Sequence, residues 1–580
     1  MQSTQQLSSI LQGKRYFWSL PGSPDSQLYE LAAAYNMSLP VMEVLLRRGY
    51  ASKGLLDAYL FSYAERDVAD AGLFADAERA VKRILRAIER KERILIFGDY
   101  DVDGMSATAL VMRCLLQLGA EVNFYMPSRM RDGYGISASV VRKAAQNKYS
   151  LIITVDNGIT AFEAAQEAVR SGIDLIITDH HRPHATLPEA YAIVNHQRAD
   201  CQYPCKYLAG VGVAFKLMQL LYEKLNLPLP PKVYELLTLG TIADVVPLLD
   251  ENRYWVQHGL AHINRNLSVP LRVLKQNSRL ERPQITATDI AFSIAPQLNA
   301  LGRMSDARSA ISFLIGSDEL LIQEIGKTLG AMNEARKETE RGIYSEIEAA
   351  IIEKRIDVTK ENCIVAAHHS WPTGVIGLVA SRLVSAYGKP TILLHCTQKG
   401  IAKGSCRSIP AFNIFQALEA EQDLLEHFGG HSMAAGLALK VENVPKLKQR
   451  LEERISATLT PFDLQQKIQI DAMIQLSDVN HQLANDLKRL EPFGNGNEQP
   501  VFGIKNAVQI QKPQLLKDYH VKCMLFSDGV AKPVIFFNRP ELYPQLLERG
   551  EEPLSCAAYI SENHWNDRVN IELQGIDVAW

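Results

Sequence analysis

Ile94-Leu-Ile-Phe-Gly-Asp-Tyr-Asp-Val-Asp-Gly104 places three carboxylates, Asp99, Asp101 and Asp103, directly behind a short apolar run. Ile94 to Phe97 has the pattern of a strand buried on both faces of a parallel sheet. Gly98 turns the chain, and apolar helical periodicity begins near Ser106, predicting a helix over Ala107–Leu118. Three like charges this close repel one another unless a cation sits among them. A helix N-cap needs one Asp, not three. An EF-hand loop opens with the same D-x-D-x-D-G pattern, but its twelfth position needs Glu and holds Leu110 here, and its flank is a helix where this one is a strand. The reading that remains is a metal site at the end of a parallel strand.

The chain around this stretch has 580 residues, room for about three or four domains, with 47% hydrophobic and 22% charged residues. The eight cysteines form no C-x-x-C pair, and Cys201 and Cys205 have no second pair to complete a zinc site, so ordinary thiols in a reducing compartment are expected. Met1-Gln-Ser-Thr-Gln-Gln lacks the basic start of a signal peptide, and no run of about 18 apolar residues occurs, which predicts a soluble, cytoplasmic protein with no membrane partner. A formal net charge of −3 leaves a local basic groove for nucleic acid open.

Residues 1–75 read as an N-terminal cover of small helices, such as Leu28–Tyr35 and Val41–Arg48, with Tyr16 and Trp18 as packing residues. Ala80, Ile84, Leu85 and Ile88 give the helix before the first strand an apolar face for the sheet. Strand-like runs recur at Glu121–Met126, Leu151–Val155, Asp174–Thr178 and Tyr191–Val194, separated by helical periods. That alternation is the signature of a doubly wound parallel α/β sheet, which gathers ligands beyond the carboxyl ends of its strands. Asp156-Asn-Gly158 and Asp179-His-His181 follow two of the runs, and Gly240-Thr-Ile-Ala-Asp244 ends another apolar segment with a carboxylate. Carboxylates with few imidazoles suit Mg²⁺ or Mn²⁺, the His favouring Mn²⁺. Five or more acids are enough for two ions sharing a bridging Asp, the arrangement that serves in-line hydrolysis at phosphorus.

In that order, Asp99-Tyr-Asp-Val-Asp-Gly104, Asp156-Asn-Gly158, Asp179-His-His181 and Gly240-Thr-Ile-Ala-Asp-Val-Val-Pro-Leu248 resemble the four motifs of the DHH phosphoesterase superfamily. Tyr125-Met-Pro-Ser-Arg129, Leu208-Ala-Gly-Val-Gly-Val-Ala-Phe-Lys216, Ala295-Pro-Gln-Leu-Asn-Ala-Leu-Gly-Arg303, Gly374-Val-Ile-Gly-Leu-Val-Ala-Ser-Arg382, Gly404-Ser-Cys-Arg-Ser408 and Phe428-Gly-Gly-His-Ser-Met-Ala-Ala-Gly436 narrow the resemblance to the RecJ family of single-strand-specific DNA exonucleases. The departures are Asn195-His196 where Asn-Pro is usual and Cys406 where Ala is commoner.

The resemblance implies Asp101, Asp103, Asp156, His180 and Asp244 as metal ligands, Asp156 the bridge, with Asp99 binding directly or through water and His181 facing the scissile phosphate. Catalytic roles fall on His181, Asp156 and Asp99, and two Mn²⁺ or Mg²⁺ ions are implied. Ser405 and Arg407 would hold a terminal 5′-phosphate, helped by Arg129 and Arg303, beside Gly429, Gly430 and His431. The implied activity is 5′→3′ degradation of single-stranded DNA to 5′-mononucleotides in repair and recombination. The implied partners are single-stranded DNA with a 5′ end, a single-strand-binding protein and a recombination helicase, and the implied oligomeric state is a monomer. A DHH phosphodiesterase of short oligonucleotides or cyclic dinucleotides, and a non-catalytic single-strand-binding relative, are the alternatives.

The expected architecture is a DHH catalytic domain over 76–315, a connecting helix over 316–355, a smaller α/β DHH-associated domain over 356–464 and an OB-fold barrel over 465–580. In the DHH-associated domain Gly374–Leu383 is expected as a helix, and Gly404–Ser408 and Gly429-Gly-His431 as turns whose backbone amides cradle a phosphate. Five strand-like runs after residue 500, split by Gly, Pro and Asp, suggest the barrel, with Phe537, Tyr559, Trp565 and Arg568 as candidate strand contacts. Pro492-Phe-Gly-Asn-Gly-Asn497 resembles the family's connector into it.

Overall fold

The computed structural model describes residues 10–127, 135–304, 308–460, 462–565 and 568–580. The chain divides into two compact units, one of residues 57–334 with 490–499, the other of residues 1–56, 335–489 and 500–580. The division falls inside two helices, Lys53–Leu60 and Glu319–Ile352.

In the first unit a five-stranded sheet runs in the order Val122–Tyr125, Arg93–Phe97, Tyr149–Val155, Asp174–Thr178, Ala192–Val194, with every pair parallel. The chain leaves Arg93–Phe97 for one side of the sheet and returns to its other side at Tyr149–Val155. The switch point, where such sheets bind ligands, therefore lies between the carboxyl ends of these two strands. Alternate side chains pack on opposite faces. Ile94, Ile96, Leu151 and Ile153 meet the large core shared with helices Val102–Gln117, Gly210–Lys224 and Lys232–Ala243. Leu95, Phe97, Ile152 and Ile177 meet helices Ala138–Gln146 and Phe162–Ser171. Burial on both faces is why these strands read as unbroken apolar runs.

The second unit holds two sheets of different character. Leu425–His431, Ala434–Lys440, Ile401–Arg407, Thr391–Cys396 and Ile364–His368 form a mixed sheet, parallel only at its last pair. Phe502–Gln509, His520–Ser527, Val530–Phe536, Arg568–Ala579 and Leu554–Trp565 close into a barrel through pairing of Phe502–Gln509 with both Leu554–Trp565 and His520–Ser527. The parallel contact of Val530–Phe536 with Arg568–Ala579 gives the order expected of an OB-fold. The N-terminal stretch contains two short strands that helical periodicity did not suggest, Ile10–Gln12 and Phe17–Ser19, the second pairing with Lys467–Gln469. Trp18 is fully buried, its indole N–H donating to Asp577 at 3.0 Å. Among the described residues no helix is long and apolar enough to cross a membrane.

Candidate metal centre

The acidic loop is folded more tightly than its sequence suggests. The helix expected from Ala107 begins at Val102, more than a turn earlier. Asp101 is its N-cap, accepting from the amide of Gly104 at 3.0 Å, while Asn299 accepts from the amide of Val102 at 3.2 Å. Asp103 therefore projects from the first helical turn into the core, where it is only 1% exposed. Its two oxygens take the amides of Gly210 at 2.7 Å and Val211 at 2.8 Å, the opening donors of helix Gly210–Lys224. A Cβ on Gly210 would lie 2.5 Å from that of Asp156, so only glycine admits the carboxylate there.

Asp156 follows strand Tyr149–Val155 in the left-handed region, at φ 62°, a conformation Asp tolerates better than most residues and one that marks functional sites. Asp179 follows Asp174–Thr178 and is 1% exposed, accepting amides from Ile159 and His180 and the ring Nδ1 of His181 at 2.7 Å. It orients His181 and belongs to none of the ligand groupings found among the described residues. Sequence reading assigned it no such role, although its place at a strand end is the signal. Asp244 caps the C-terminal end of helix Lys232–Ala243.

These elements bring three sets of donors within 4.8 Å of one another: Asp156, His180 and His181; Asp103, His180 and Asp244; Asp99, Asp101 and Asp156. His180 lies between two carboxylates, Nε2 at 3.2 Å from Asp156 and Nδ1 at 3.6 Å from Asp244. Asp156 is the acid common to the histidine pair and to the Asp99–Asp101 pair.

Burial, reinforced by the charge of Asp101, pushes the Asp103 carboxyl up to about 7. Burial and the neighbouring acids likewise hold Asp156 and Asp244 well above the usual carboxylate range. Burial, with His181 beside it, pushes His180 down to about 3, leaving a neutral imidazole suited to ligation. At His181 burial opposes protonation, but the Asp179 hydrogen bond and charge outweigh it and hold its pKa above the ordinary value. The Asp244 Oδ2 is shut off from solvent and makes no hydrogen bond among the described residues. Crowded oxygen donors, a neutral imidazole and an unsatisfied buried carboxylate oxygen fit a pair of hard divalent cations, with the nitrogen donor favouring Mn²⁺.

The second unit corrects one expectation. Gly404–Arg407 is not a turn but part of the central strand Ile401–Arg407, paired on both sides, and Gly429-Gly-His431 ends the edge strand Leu425–His431. The amides of the central strand are consumed by its two ladders, so Ser405 and Arg407 offer side chains and not a backbone cradle. Alternation places Cys406 in the core and Ser405 with Arg407 on the opposite face. There Arg407 Nη1 donates to Ser405 Oγ at 3.0 Å and Nε to Ser381 Oγ at 3.1 Å. Ser381 was not singled out in the sequence. It lies on helix Thr373–Tyr387, which approaches so closely that a Cβ on Gly377 would lie 2.8 Å from Ser405 Oγ. Of the small residues that suggested the turn, Ser405 faces this helix, whereas a Cβ on Gly404 would lie 2.6 Å from Leu394 on the neighbouring strand. Gly429, Gly430 and His431 are exposed.

On the barrel, Phe537 is exposed and packs edge-to-face on His520 at 5.2 Å, beside Tyr519, 63% exposed. Tyr559 is half-buried. Arg129 lies outside the described residues, as do the side chains of Arg303, Trp565 and Arg568.

Residues 93–241 match the model of the DHH family N-terminal domain, residues 360–457 that of the DHHA1 domain and residues 470–577 that of the RecJ OB domain. The chain is 35% identical over 565 residues to the single-stranded-DNA-specific exonuclease RecJ of Bacillus subtilis, covering 97% of this chain and 70% of that one. It is 32% identical to the RecJ of Escherichia coli, covering 84% of this chain and 88% of that one. The crystal structure of RecJ in complex with Mn²⁺ from Thermus thermophilus superposes with a TM-score of 0.81 at 28% identity, covering 97% of this chain and 79% of that one. With a metal-ready acidic centre at the switch point of the parallel sheet and the three domain types in order behind it, the chain belongs to the RecJ family of DHH phosphoesterases.

Proposed function

We propose that this protein hydrolyses single-stranded DNA from its 5′ end to 5′-mononucleotides, using two Mn²⁺ or Mg²⁺ ions, in DNA repair and recombination. The observation that carries the reading is the cluster at the sheet's switch point, in which Asp156 stands between His180 and His181 on one side and Asp99 and Asp101 on the other. Asp101, Asp103, Asp156, His180 and Asp244 would hold the ions, with Asp156 shared between two groups of donors and Asp99 beside it. When bound, the ions neutralise the crowded carboxylates, lower the pKa of water and shield phosphate charge.

The chain's own residues do the rest. Asp103 is pinned by two helix amides, so the centre keeps its shape while charge moves through it. Asp179 occupies Nδ1 of His181, which leaves Nε2 as the nitrogen that meets the scissile phosphate or hands a proton to the departing 3′-oxygen. A raised His181 pKa suits the protonated, donating form. Arg407, with Ser405 beside it, takes the terminal 5′-phosphate through a planar fork, and Arg129, Arg303 and His431 add further phosphate contacts. The barrel's exposed Tyr519 and Phe537 give bases a surface for stacking. The chain works as a monomer in the cytoplasm on strands opened by a recombination helicase and coated by a single-strand-binding protein.

Digestion of a single strand, its matched duplex and a cyclic dinucleotide, each with Mn²⁺ and with a chelator, tests the reading. Preference for the single strand that vanishes on chelation is expected. Preference for the dinucleotide would instead make this a small-substrate phosphodiesterase.

A further inference from the structure

The connector Pro492–Asn497 belongs to the compact unit that holds the metal centre, although it lies some 250 positions away in sequence from the segment it touches. It touches the loop Val245–Leu249, which begins immediately after Asp244. Asn495 Nδ2 donates to the carbonyl of Val245 at 2.7 Å, and the amide of Leu248 donates back to the Asn495 carbonyl at 2.8 Å. Asn495 thus holds both ends of the short loop Val245–Leu248. Gly494 lies against Leu248 so closely that a Cβ would come within 2.7 Å of its Cδ1.

The held turn is an unfavourable one. Val245 has φ 60° and is 64% exposed. A left-handed residue just past a helix end is the ordinary way to stop a helix, but the position normally takes glycine or Asn, because a Cβ is penalised there and a β-branched side chain most of all. Exposure means that no core packing forces Val245 into this conformation. Val245 is held on one side by its own amide, which donates to the Ile242 carbonyl at 3.2 Å, and on the other by Asn495 on its carbonyl. The connector is itself fixed behind that grip. Asn497 donates to the carbonyls of Leu490 and Pro492 at 2.8 Å each and accepts from Tyr59 at 2.7 Å, and Arg253 donates to the carbonyl of Leu490 at 2.8 Å.

We infer that Asn495 is a positioning residue for the metal centre: by holding Val245 in a strained left-handed turn it stops helix Lys232–Ala243 at one point and so fixes where Asp244 presents its carboxylate. The inference rests on the assignment of Asp244 as a ligand. If the grip is lost, Val245 relaxes to an extended conformation, the last helical turn frays, and Asp244 leaves its place 3.6 Å from His180. Glycine at 245 adopts the turn without strain, so it keeps the helix end in place when the grip is gone.

The test uses the full chain in three variants, Asn495→Ala, Asn495→Ala with Val245→Gly, and Asp244→Asn. Mn²⁺ binding is followed by calorimetry without DNA, kcat and KM are measured on a short single strand, and thermal unfolding is recorded in chelator. Asn495→Ala is expected to weaken Mn²⁺ binding at least fivefold and to lower kcat, with KM within twofold. The second change is expected to recover most of both losses, and Asp244→Asn to lose more than either. If Asn495→Ala binds Mn²⁺ within twofold of the parent while Asp244→Asn does not, the positioning role is overturned and the ligand assignment stands. If Asp244→Asn also binds normally, both fall. If the chelated Asn495→Ala protein melts lower and Val245→Gly restores neither affinity nor kcat, Asn495 is general structural support and the inference is overturned.

Discussion

Asp103 accepts the backbone amide of Gly210 at 2.7 Å, tying the first helix of the acidic loop to the first turn of a helix more than a hundred positions later in the sequence. Asp156, by contrast, sits against the same glycine with its charge opposed by four other acids and held in a left-handed conformation. One carboxylate of this centre is therefore hydrogen-bonded into the fold, and the other is held in a left-handed turn against like charge.

The two should respond oppositely to substitution. Asp103→Ala leaves two helix amides without their acceptor and is expected to cost about 2 kcal/mol of stability in chelator. Asp156→Asn removes a repelling charge, keeps a residue that tolerates positive φ, and is expected to raise the melting temperature of the ion-free protein. Both variants are expected to lose at least a hundredfold in cleavage, about 2.7 kcal/mol on the rate scale. Equal falls in melting temperature would contradict this division.

The ion-free protein should become less stable as pH rises through neutrality. Asp103, Asp156 and Asp244 have raised folded pKa values, Asp103 about 7, so above the ordinary carboxylate range the folded chain holds protons that the unfolded chain has released. Stability contributed in this way is present in acid and lost as pH rises to about 7. Mn²⁺ displaces those protons, so the melting-temperature rise on adding Mn²⁺ is expected to grow from pH 6 to pH 8. Binding enthalpies in two buffers of different ionisation heat should show proton release at the lower pH. A rise independent of pH with no protons released would contradict the crowded-acid account.

Much of the first unit was legible because burial on two faces writes itself as apolar runs, and the acids and imidazoles after those runs gather at the carboxyl ends of the strands by topology alone. Asp99, Asp156 and His180 stand just past strand ends, which is what marked them as candidates, and Asp179 stands at one too without having been given its hold on His181. Asp244 was less legible, because a helix end carries no such rule and only its place among the other acids marks it. The helix start at Val102 was misread because Asp101 and Gly104 look like turn residues while serving as cap and capped amide. Ser405 and Arg407 were placed in a turn because Gly404, where a Cβ would lie 2.6 Å from Leu394 on the neighbouring strand, resembles loop composition. The hold of Asn495 on Val245 leaves no trace in local sequence pattern.

Arg407→Lys keeps the charge and removes the fork. It is expected to reduce kcat/KM on 5′-phosphorylated strands at least tenfold more than on the same strands ending in a 5′-hydroxyl. An unchanged ratio between the two ends would move Arg407 to an internal phosphate.

Tyr519→Ala combined with Phe537→Ala removes the exposed rings of the barrel. Stacking contributes about 1–3 kcal/mol per base, so affinity for a long single strand should fall at least tenfold while kcat on a five-nucleotide substrate stays within twofold. Equal losses on both substrates would assign these rings to structural support.

The central claim is directional hydrolysis of a single strand at the acidic centre, and product analysis from one strand labelled separately at each end tests it most directly. With Mn²⁺ present, the account predicts that the 5′ label appears at once as a mononucleotide while the 3′ label stays on progressively shorter strands. Early release of the 3′ label as a mononucleotide, or release of both labels on internal fragments, would contradict it.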